Sequence, residues 1–448
     1  MERRGLLEDD RKLVSRYYSG RLTGAADPLR LATELARTMP GPYVLYENSG
    51  TWSVASGSAY ELVLYADELH VRDADGWSTR PSGPEPLQAV ADALARCPVE
   101  GARAYGWAGF GLSHLLHGDP AAARGPLLHL VVPTREVRIS TDAVDVRAVD
   151  TADLLPLTSQ VAAAAAVVTA AGTPLPSPDP DHDAEFYRTA VSRAVAEIRA
   201  RRYQKVILSR LVPVHGDVDL FATYEAGRRA NTPARSYLLD LGGVRCAGFS
   251  PETVVEVTAT GRVSTQPLAG TRARHGDPML DGALRTDLQA DAKEIFEHAI
   301  SVKLAFDELT ALAVPGSVQV DDFMDVKERG SVQHLASRVS ATLSGGRNAW
   351  HALAVLFPAI TASGVPKAAA CEAIDRLENA PRGLYSGAVL TVDADGSMDA
   401  ALVLRSIFQQ EGRTWLRAGA GIVGQSTPER ELEETAEKLR SISRYLHR

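Results

Sequence analysis

The chain has 448 residues, 45% of them hydrophobic, and a formal net charge of −8. This length allows one large domain or two to three ordinary ones, and the hydrophobic content supports a sizeable core. The acidic balance argues against a nucleic-acid surface. Three scattered cysteines, Cys97, Cys246 and Cys371, lack any ligand spacing. They argue against a disulfide framework or zinc site and favour a reducing cytoplasm.

No targeting or membrane-spanning pattern is present in the sequence. The first residues, MERRGLLEDDRKL, lack the apolar core of a signal peptide. The most apolar run, residues 161–172, is too short and too alanine-rich to cross a bilayer, and we expect a buried helix there. These features predict a cytoplasmic protein without a membrane partner.

A proline-rich stretch at residues 173–183 predicts a linker without regular structure. It separates residues 1–184 from residues 185–448, which we expect to form one integrated domain. Before it we predict strands at 43–47 and 60–66. After it we predict a helix from Ala184, a strand at 203–214, a long helix from about Asp287 to Leu312, a hairpin at 399–423 and a closing helix from about Pro428. Sequential strands with helices in blocks predict an α+β fold, with mostly antiparallel sheets in a sandwich-like core flanked by helices.

The stretch GAGIVG at residues 419–424 has the G-x-G-x-x-G pattern of a dinucleotide-binding turn. Such a turn needs a strand before it, a helix after it and a second strand carrying an acid about 20 residues on. Only Gln425 to Arg448 follow, which leaves room for one helix and no second strand. The context argues against NAD and favours a glycine-lined site for a carboxylate.

Two predicted helices carry paired glutamates. Glu431 and Glu434 lie three residues apart in the closing helix, and Glu294 and Glu297 have the same spacing in the long helix. The apolar side of the long helix is predicted from Ile295, Ala299, Val302 and Phe306. One interpretation is a solvated acidic face, with Glu434 paired to Lys438. The other, with no histidine or cysteine counted nearby, is a Mg²⁺ site built from oxygens of both helices.

One lysine lies inside an apolar strand. Lys205 in YQKVILSR shares a face with Ile207 and Ser209. It is either an edge residue whose amine reaches water, or a general base in a water-poor pocket. Glu252, directly after Pro251 at a predicted strand end, is unremarkable alone but would be the matching acid.

Anion-binding residues are predicted in the last half of the chain. Arg405 lies in the apolar stretch AALVLRSIF, and a buried arginine needs either a protein carboxylate or a substrate carboxylate. Tyr385 is more typical of a core residue than of a ligand contact. The glycine-containing segments PLAGTR and RAGAGI would let backbone N–H groups approach an anion.

Ten segments in chain order resemble the chorismate-utilising enzymes, which include anthranilate, aminodeoxychorismate, isochorismate and salicylate synthases. The segments are YQKVILSR, GFSPE, PLAGTR, KEIFEHAI, SVQHLAS, FPAITASGVPK, PRGLYSGAV, AALVLRS, RAGAGIV and PERELEETAEK. They cover roughly residues 185–445, and GWAGFGLS at 106–113 is similar to the family's entry to the core. The resemblance is strongest to salicylate synthases of mycobactin-type siderophore pathways.

Branch-specific positions agree with that resemblance. Lys205 stands where amine-forming members typically have glutamine, and Ala269 stands where aminodeoxychorismate synthases have lysine. The resemblance therefore implies water as nucleophile, chorismate as substrate and no glutamine amidotransferase subunit. We expect a monomer.

The resemblance also assigns roles to individual residues. It implies that Lys205 deprotonates water for attack at ring C2 and that Glu252 protonates the leaving C4 hydroxyl. The implied Mg²⁺ ligands are Glu297, Glu431 and Glu434, with Glu294 behind them. The implied substrate contacts are Gly270, Thr271, Tyr385, Arg405, Gly419, Ala420, Gly421 and Lys438. An isochorismate synthase that retains pyruvate is the nearest alternative, and a non-catalytic chorismate-binding homologue is the other.

Overall fold

The computed structural model describes residues 15–167, 172–330 and 332–448. The N-terminal stretch read above, four residues of the apolar run and the first residue of SVQHLAS lie outside these ranges. Within them the α-helices are Pro28–Thr38 (α1), Pro86–Ala95 (α2), Leu112–His117 (α3), Thr151–Ala166 (α4), Ala184–Arg199 (α5), Leu220–Ala230 (α6), Pro278–Ala290 (α7), Ala292–Thr310 (α8), Ala349–Leu356 (α9), Lys367–Leu377 (α10) and Pro428–Ser443 (α11).

The strands divide between the two parts of the chain. Those before residue 185 are Ser15–Arg16 (β1), Tyr18–Thr23 (β2), Tyr43–Asn48 (β3), Thr51–Ser56 (β4), Tyr60–Leu64 (β5), Glu68–Asp73 (β6), Gly76–Pro81 (β7), Val99–Glu100 (β8), Arg103–Ala108 (β9), Leu128–Val132 (β10), Arg135–Ile139 (β11) and Ala143–Ala148 (β12). Those after it are Lys205–Pro213 (β13), Arg235–Leu241 (β14), Val244–Ser250 (β15), Thr253–Val257 (β16), Arg262–Thr265 (β17), Leu268–Ala273 (β18), Gln319–Arg329 (β19), Val332–Thr342 (β20), Gly364–Val365 (β21), Ala388–Asp393 (β22), Met398–Leu402 (β23), Ser406–Gln410 (β24) and Arg413–Ile422 (β25).

Two large antiparallel sheets form the centre of the fold. The first has the order β18-β20-β17-β16-β23-β22-β9-β10-β5-β6-β7, with β19 paired to β20. The second has the order β2-β12-β11-β4-β3-β14-β15-β24-β25-β13-β21. Both sheets contain strands from before and after residue 185. The predicted α+β class with antiparallel sheets is confirmed.

Helices cover the outer faces of the two sheets. One buried cluster joins the inner faces and includes Tyr46 and Tyr237 from the second sheet and Trp107 and Val389 from the first. A second packs α2, α8 and α9 on the first sheet, and a third packs α1, α4 and α6 on the second. The molecule is thus a sheet sandwich between helical layers, because each sheet is apolar on both faces.

The predicted long helix is in fact two helices, α7 and α8. Asp291 separates them in an extended conformation, with φ of −73° and ψ of 110°. Its carboxylate accepts hydrogen bonds from the backbone N–H groups of Lys293 and Glu294, at 2.9 and 3.2 Å. An aspartate in this position starts a new helix because it satisfies donors that have no partner within the helix.

The predicted buried helix at residues 161–172 is also corrected. Helix α4 ends at Ala166, and of the described residues in this run only Val161 and Ala164 are buried. Alanine removes so little surface from water that an alanine-rich run can lie largely exposed in a helix. None of the described helices is long and apolar enough to cross a membrane.

The predicted hairpin at residues 399–423 extends over both sheets. Strand β23 belongs to the first sheet, whereas β24 and β25 pair with each other in the second. The chain changes sheet between Val403 and Arg405. Arg405 has a φ of 49°, in the left-handed region that few residues other than glycine adopt, and it lies outside any strand, directly before β24.

A buried glutamate joins the two sheets near their middle. Glu136 on β11 accepts from the hydroxyl of Tyr105 on β9 at 2.5 Å and pairs with Arg103 of the same strand at 3.3 Å. It also pairs with Arg147 on the neighbouring strand β12. Three donors from two sheets therefore depend on one carboxylate.

Replacing this carboxylate tests its importance for stability. We expect Glu136→Ala to lower the free energy of unfolding by about 3–5 kcal/mol, because two arginines and a tyrosine hydroxyl lose their buried partner. Urea unfolding measures the change. Glu411→Ala is the matched control, since its pair with Arg413 is largely exposed and should contribute less than about 1 kcal/mol. Equal effects of both substitutions would contradict the assignment.

Candidate active site

A cavity of about 80 Å³ lies where the two sheets meet α8 and α11. Most of the substrate contacts predicted from the sequence line it. The predicted acid Glu252 and two of the predicted metal ligands, Glu297 and Glu434, line it as well. The polar lining residues are Glu252, Thr271, Glu297, His334, Thr361, Tyr385, Arg405, Arg417, Glu434 and Lys438. The fold thus brings these residues from nine separate segments of the sequence to one place.

Lys205 begins β13 and is buried, with 1% of its surface exposed. The alternative of an edge lysine reaching water is therefore wrong. Its Nζ lies 2.9 Å from Glu297 Oε1 on α8 and donates to Ser301 Oγ at 3.3 Å. Strand β13 pairs with β25, which places Ile207 opposite Gly421. The lysine is held behind the cavity wall by α8.

Glu252 follows β15 and is buried at the opposite wall. Burial raises the pKa of its carboxyl group to about 7, although two hydrogen bonds and nearby cations oppose the shift. Thr361 Oγ1 donates to Oε1 at 2.7 Å, and the backbone N–H of Leu268 donates to Oε2 at 2.8 Å. The charge of Lys205 also lowers this pKa, so the two groups act on each other electrostatically. Near neutral pH the carboxyl can carry a proton, as a general acid must.

The paired glutamates do not form solvated faces. Glu294, Glu297 and Glu431 are buried, and Glu434 is partly buried. The predicted apolar side of α8 is only partly right: Val302 is buried, but Phe306 is 38% exposed. The buried face also carries Glu294, Glu297 and Ser301. Burial of charge is costly unless a counterion is close, so each carboxylate needs a partner.

Lysines pair with the two glutamates of α11. Lys293 Nζ lies 3.1 Å from Glu431 Oε1, and Lys438 Nζ lies 2.7 Å from Glu434 Oε1. Burial raises the pKa of Glu431, and repulsion from Glu434 adds to the shift. For Glu434 burial acts in the same direction, but Lys438 outweighs it and lowers the pKa. Glu434 lines the cavity and Glu431 lies behind it.

Glu294 carries the clearest sign of crowded negative charge. Burial, then repulsion from Glu297 and Glu434, raises its pKa to about 7. Arg272 lies 3.6 Å away and compensates only in part. Gly421 faces the neighbouring Glu297, since a Cβ at position 421 would lie 2.3 Å from Glu297 Oε1.

The donor chemistry fits a hard divalent cation. Carboxylate oxygens crowded against one another are the ligands that Mg²⁺ prefers. Within the described ranges, however, no three acidic, histidine or cysteine side chains are grouped as a metal site. Glu297, Glu431 and Glu434 form ion pairs with lysines instead. A bound ion would therefore replace contacts such as that between Lys205 and Glu297.

Arg405 is buried at the cavity without a carboxylate partner among the described residues. Its guanidinium donates to the backbone oxygen of Arg329 at 3.2 Å and contacts His334 Nε2. Burial and the charge of Arg329 lower its pKa to about 10. The alternative in which a protein carboxylate neutralises Arg405 is therefore not what the structure contains. The cavity presents a cation that an anionic ligand would stabilise.

The sequence reasoning missed His334 and His298. His334 Nδ1 lies 3.0 Å from the oxygen of Gly270 and 3.1 Å from Thr271 Oγ1, so a neutral ring can accept from Arg405 through Nε2. Burial and Arg405 hold its pKa well below the usual value. His298, buried on α8, corrects the statement that no histidine lies near the glutamates. His334 lies in the segment SVQHLAS and His298 in KEIFEHAI, but residue spacing did not show which way their side chains point.

The glycines allow close approach of side chains. Gly419 and Gly421 lie within β25, not at a strand-to-helix turn, which agrees with the argument against NAD. A Cβ on Gly419 would lie 3.1 Å from the Tyr385 hydroxyl, and Gly270 has a φ of 74° beside Glu294. Ala420, by contrast, is fully buried in an apolar cluster and does not line the cavity, because alternate residues of a strand face opposite sides.

A larger cavity, of about 630 Å³, lies elsewhere in the fold. Trp107, Phe110, His114 and Trp415 are among its lining residues. It contains none of the side chains predicted to be catalytic, substrate-binding or metal-binding, so size and chemistry point to different cavities. We assign the site by chemistry, because titratable groups with shifted pKa values cluster at functional sites.

Comparison with known proteins decides the family. Residues 41–444 match the family described as chorismate binding enzyme. The chain belongs to this family. It is similar to a salicylate synthase of Mycolicibacterium paratuberculosis, with 45% identity over 440 residues that cover 94% of each chain. The predicted membership among the chorismate-utilising enzymes is confirmed, and with it the enzymatic nature of the protein.

Solved structures of this chorismate-binding family have the same fold. Anthranilate synthase component I of Streptococcus pneumoniae aligns with a TM-score of 0.72 and 26% identity, covering 91% of this chain and 93% of its own. A putative 2,3-dihydroxybenzoate-specific isochorismate synthase of Bacillus anthracis aligns with a TM-score of 0.71 and 22% identity, covering 93% and 99%. The second likeness concerns the fold alone.

The hydrogen bond from Thr361 to Glu252 can be tested directly. Because this bond stabilises the carboxylate, Thr361→Val should raise the pKa of Glu252 further above its value of about 7. Infrared titration of the protonated carboxyl band, assigned by its loss in Glu252→Gln, measures the shift. Thr361→Ser keeps the hydroxyl and should titrate as the unsubstituted protein does. A lower pKa in Thr361→Val would contradict the proposed donor.

Proposed function

We propose that this enzyme is a Mg²⁺-dependent salicylate synthase. It converts chorismate to isochorismate and then to salicylate and pyruvate, in one cavity. The observation that carries the proposal is the buried pair of opposed groups, Lys205 and Glu252, at a cavity with an unneutralised Arg405. The likeness to a salicylate synthase along nearly the whole chain supports the same reaction.

The first half-reaction exchanges a hydroxyl group. Lys205 takes a proton from water as the water oxygen bonds to ring C2, both ring double bonds shift towards C4, and the C4–O bond breaks as the oxygen takes a proton from Glu252. Because the ammonium group that pairs with Glu297 has no lone pair, Lys205 must first lose a proton before it can act as the base. The burial that raises the pKa of Glu252 to about 7 lets the carboxyl group carry a proton in part of the molecules near neutral pH.

The carboxylates of the substrate have separate binding groups in this proposal. Arg405, with Tyr385 beside it, holds the enolpyruvyl carboxylate, since it has no carboxylate of its own. Gly270, Thr271 and the β25 glycines line the rest of the cavity, with Lys438 as a further contact. When the ring is held tightly in place, less entropy is lost on reaching the transition state.

Glu297, Glu431 and Glu434 would hold Mg²⁺, with Glu294 behind them. When bound, the ion supplies positive charge for the ring carboxylate and fixes its orientation. The crowding that raises the pKa of Glu294 supports this placement, because a cation relieves it. Glu431 contributes only if its side chain leaves Lys293, since it does not face the cavity.

The second half-reaction removes pyruvate from isochorismate. A hydrogen moves from C2 to the enolpyruvyl methylene while the bond between C3 and the ether oxygen breaks, and the ring becomes aromatic. This step needs placement of the two ends more than an acid or a base. Water as nucleophile requires no amidotransferase subunit. We further propose siderophore biosynthesis as the use of the salicylate.

The first test is incubation of the purified protein with chorismate and Mg²⁺, with and without EDTA. We expect salicylate and pyruvate in equal amounts by chromatography, and their loss when EDTA removes the metal. Accumulation of isochorismate without pyruvate would assign the enzyme as an isochorismate synthase. The absence of any conversion would favour a non-catalytic chorismate-binding protein.

Two substitutions test the assigned acid and base. Lys205→Ala and Glu252→Gln should each lower the rate of chorismate consumption by about 10²–10⁴-fold, the usual effect of losing a general base or acid. Glu252→Gln should still bind chorismate, because glutamine keeps the shape of the carboxyl group. Normal turnover in either variant would remove that residue from its role. Arg413→Gln, at the exposed start of β25, is the control for unrelated loss of charge.

A further inference from the structure

The proposed hydroxyl exchange leaves two groups in the wrong protonation state. After each reaction Lys205 holds an extra proton and Glu252 has lost one. Glu252 is buried, and both of its oxygens already accept protein hydrogen bonds, from Thr361 and Leu268. A buried acid cannot act twice unless some path returns its proton. This inference rests on the proposed function and concerns that path.

A small second cavity lies behind Glu252, on the side away from the substrate. Its volume is about 10 Å³, enough for about one water molecule. Its polar lining residues are Glu252, Thr253, Thr265, Gln266, Glu308 and Thr361. Such a polar space suits a water, because a buried water needs two to four hydrogen-bonding partners.

Glu308 on α8 is the second titratable group of this cavity. Its side chain is 15% exposed, whereas Glu252 is almost fully buried, so the cavity joins the acid to a carboxyl group nearer to solvent. Lys367 Nζ holds Glu308 Oε1 at 2.8 Å and donates to the backbone oxygen of Val355 at 2.8 Å. These bonds fix the position of the carboxylate beside the cavity.

The electrostatics of Glu308 suit proton transfer. Burial raises its pKa, with a small contribution from Asp307, although Lys367 opposes the shift. A carboxyl group with a raised pKa carries a proton more often near neutral pH than an exposed one. Proton exchange is fast when donor and acceptor have similar pKa values, and that of Glu252 is also raised.

We propose that Glu308 is a proton-relay residue, which returns a proton to Glu252 through one water in the cavity between them. The water gives a proton to the Glu252 carboxylate and takes one from the Glu308 carboxyl group. Glu308 then takes a proton from solvent, and Lys205 gives its extra proton to water in the substrate cavity once the product has left. No bond other than O–H and N–H bonds changes, and no further reactant is needed.

Glu308→Gln tests the relay, because it keeps shape and a hydrogen-bonding group but cannot pass on a proton. We expect the turnover number for chorismate consumption to fall about tenfold, with little change in KM, since substrate does not contact Glu308. The rate of the variant should rise with the concentration of the acid form of the buffer at constant ionic strength. The unsubstituted enzyme should show no such dependence.

The matched control is Asp307→Asn, which removes the neighbouring carboxylate of the same helix outside the cavity. It should keep the normal turnover number and show no buffer dependence. If Glu308→Gln does not fold, Ala305→Val provides a second test, because Ala305 lines the cavity and a larger side chain excludes the water. It should also slow turnover and make the rate depend on buffer acid.

The outcomes separate the relay from the proposed function. If the unsubstituted enzyme does not consume chorismate, the proposed function fails. If it does, and Glu308→Gln has a normal turnover number without buffer dependence, the relay is wrong while the function stands. Slow turnover that no buffer acid increases would also overturn the relay, since it would indicate a structural role only.

Discussion

The ion pair between Lys205 and Glu297 is the contact on which the rest of the site depends. It joins the first residue of β13 to the buried face of α8, at 2.9 Å, in a place where both side chains are largely shielded from bulk water. An unpaired charge there would be very costly, so each of the two elements needs the other in register. The glycines of β25 follow from the same constraint, because a side chain at Gly421 would collide with Glu297.

Electrostatic balance differs between the two walls of the cavity. Near α11 and α8, Lys205, Lys293 and Lys438 pair with Glu297, Glu431 and Glu434. Glu294 has only Arg272, which also pairs with Asp287 and Asp291, and the raised pKa of Glu294 records the excess of negative charge. At the opposite wall Arg405 has no carboxylate partner among the described residues. A dianionic substrate together with a divalent cation would therefore meet complementary charge at both walls. Preorganised charges of this kind favour a reaction without rearrangement at the moment of bond breaking.

Helix α8 connects the functions proposed here. Glu297 faces the cavity with Glu294 beside it, Ser301 contacts Lys205, and Glu308 lies two turns further on, at the small cavity behind Glu252. Asp291 sets the start of this helix by capping it, so a single aspartate fixes the height of every one of these groups. Arg405, where the chain crosses from the first sheet to the second, reaches the cavity from the wall opposite α8. Its left-handed backbone conformation is one that a regular strand does not adopt.

The sequence alone determined the family, the fold class and the residue types of the site, because ten ordered segments and an alternating strand pattern are local properties of the chain. Tertiary structure decided which side chains face the cavity. The apolar spacing of α8 located Val302 correctly but not Phe306, Glu294 or Glu297, since spacing rules assume that buried faces are apolar and this one also buries charge. Ala420 was predicted in the site because it lies between Gly419 and Gly421. Alternate residues of a strand face opposite sides, so its side chain points into the core. His334 and Glu308 were invisible for the same reason: their meaning comes from contacts with Arg405 and with the cavity behind Glu252, residues far away in sequence that only the packing of two sheets brings together.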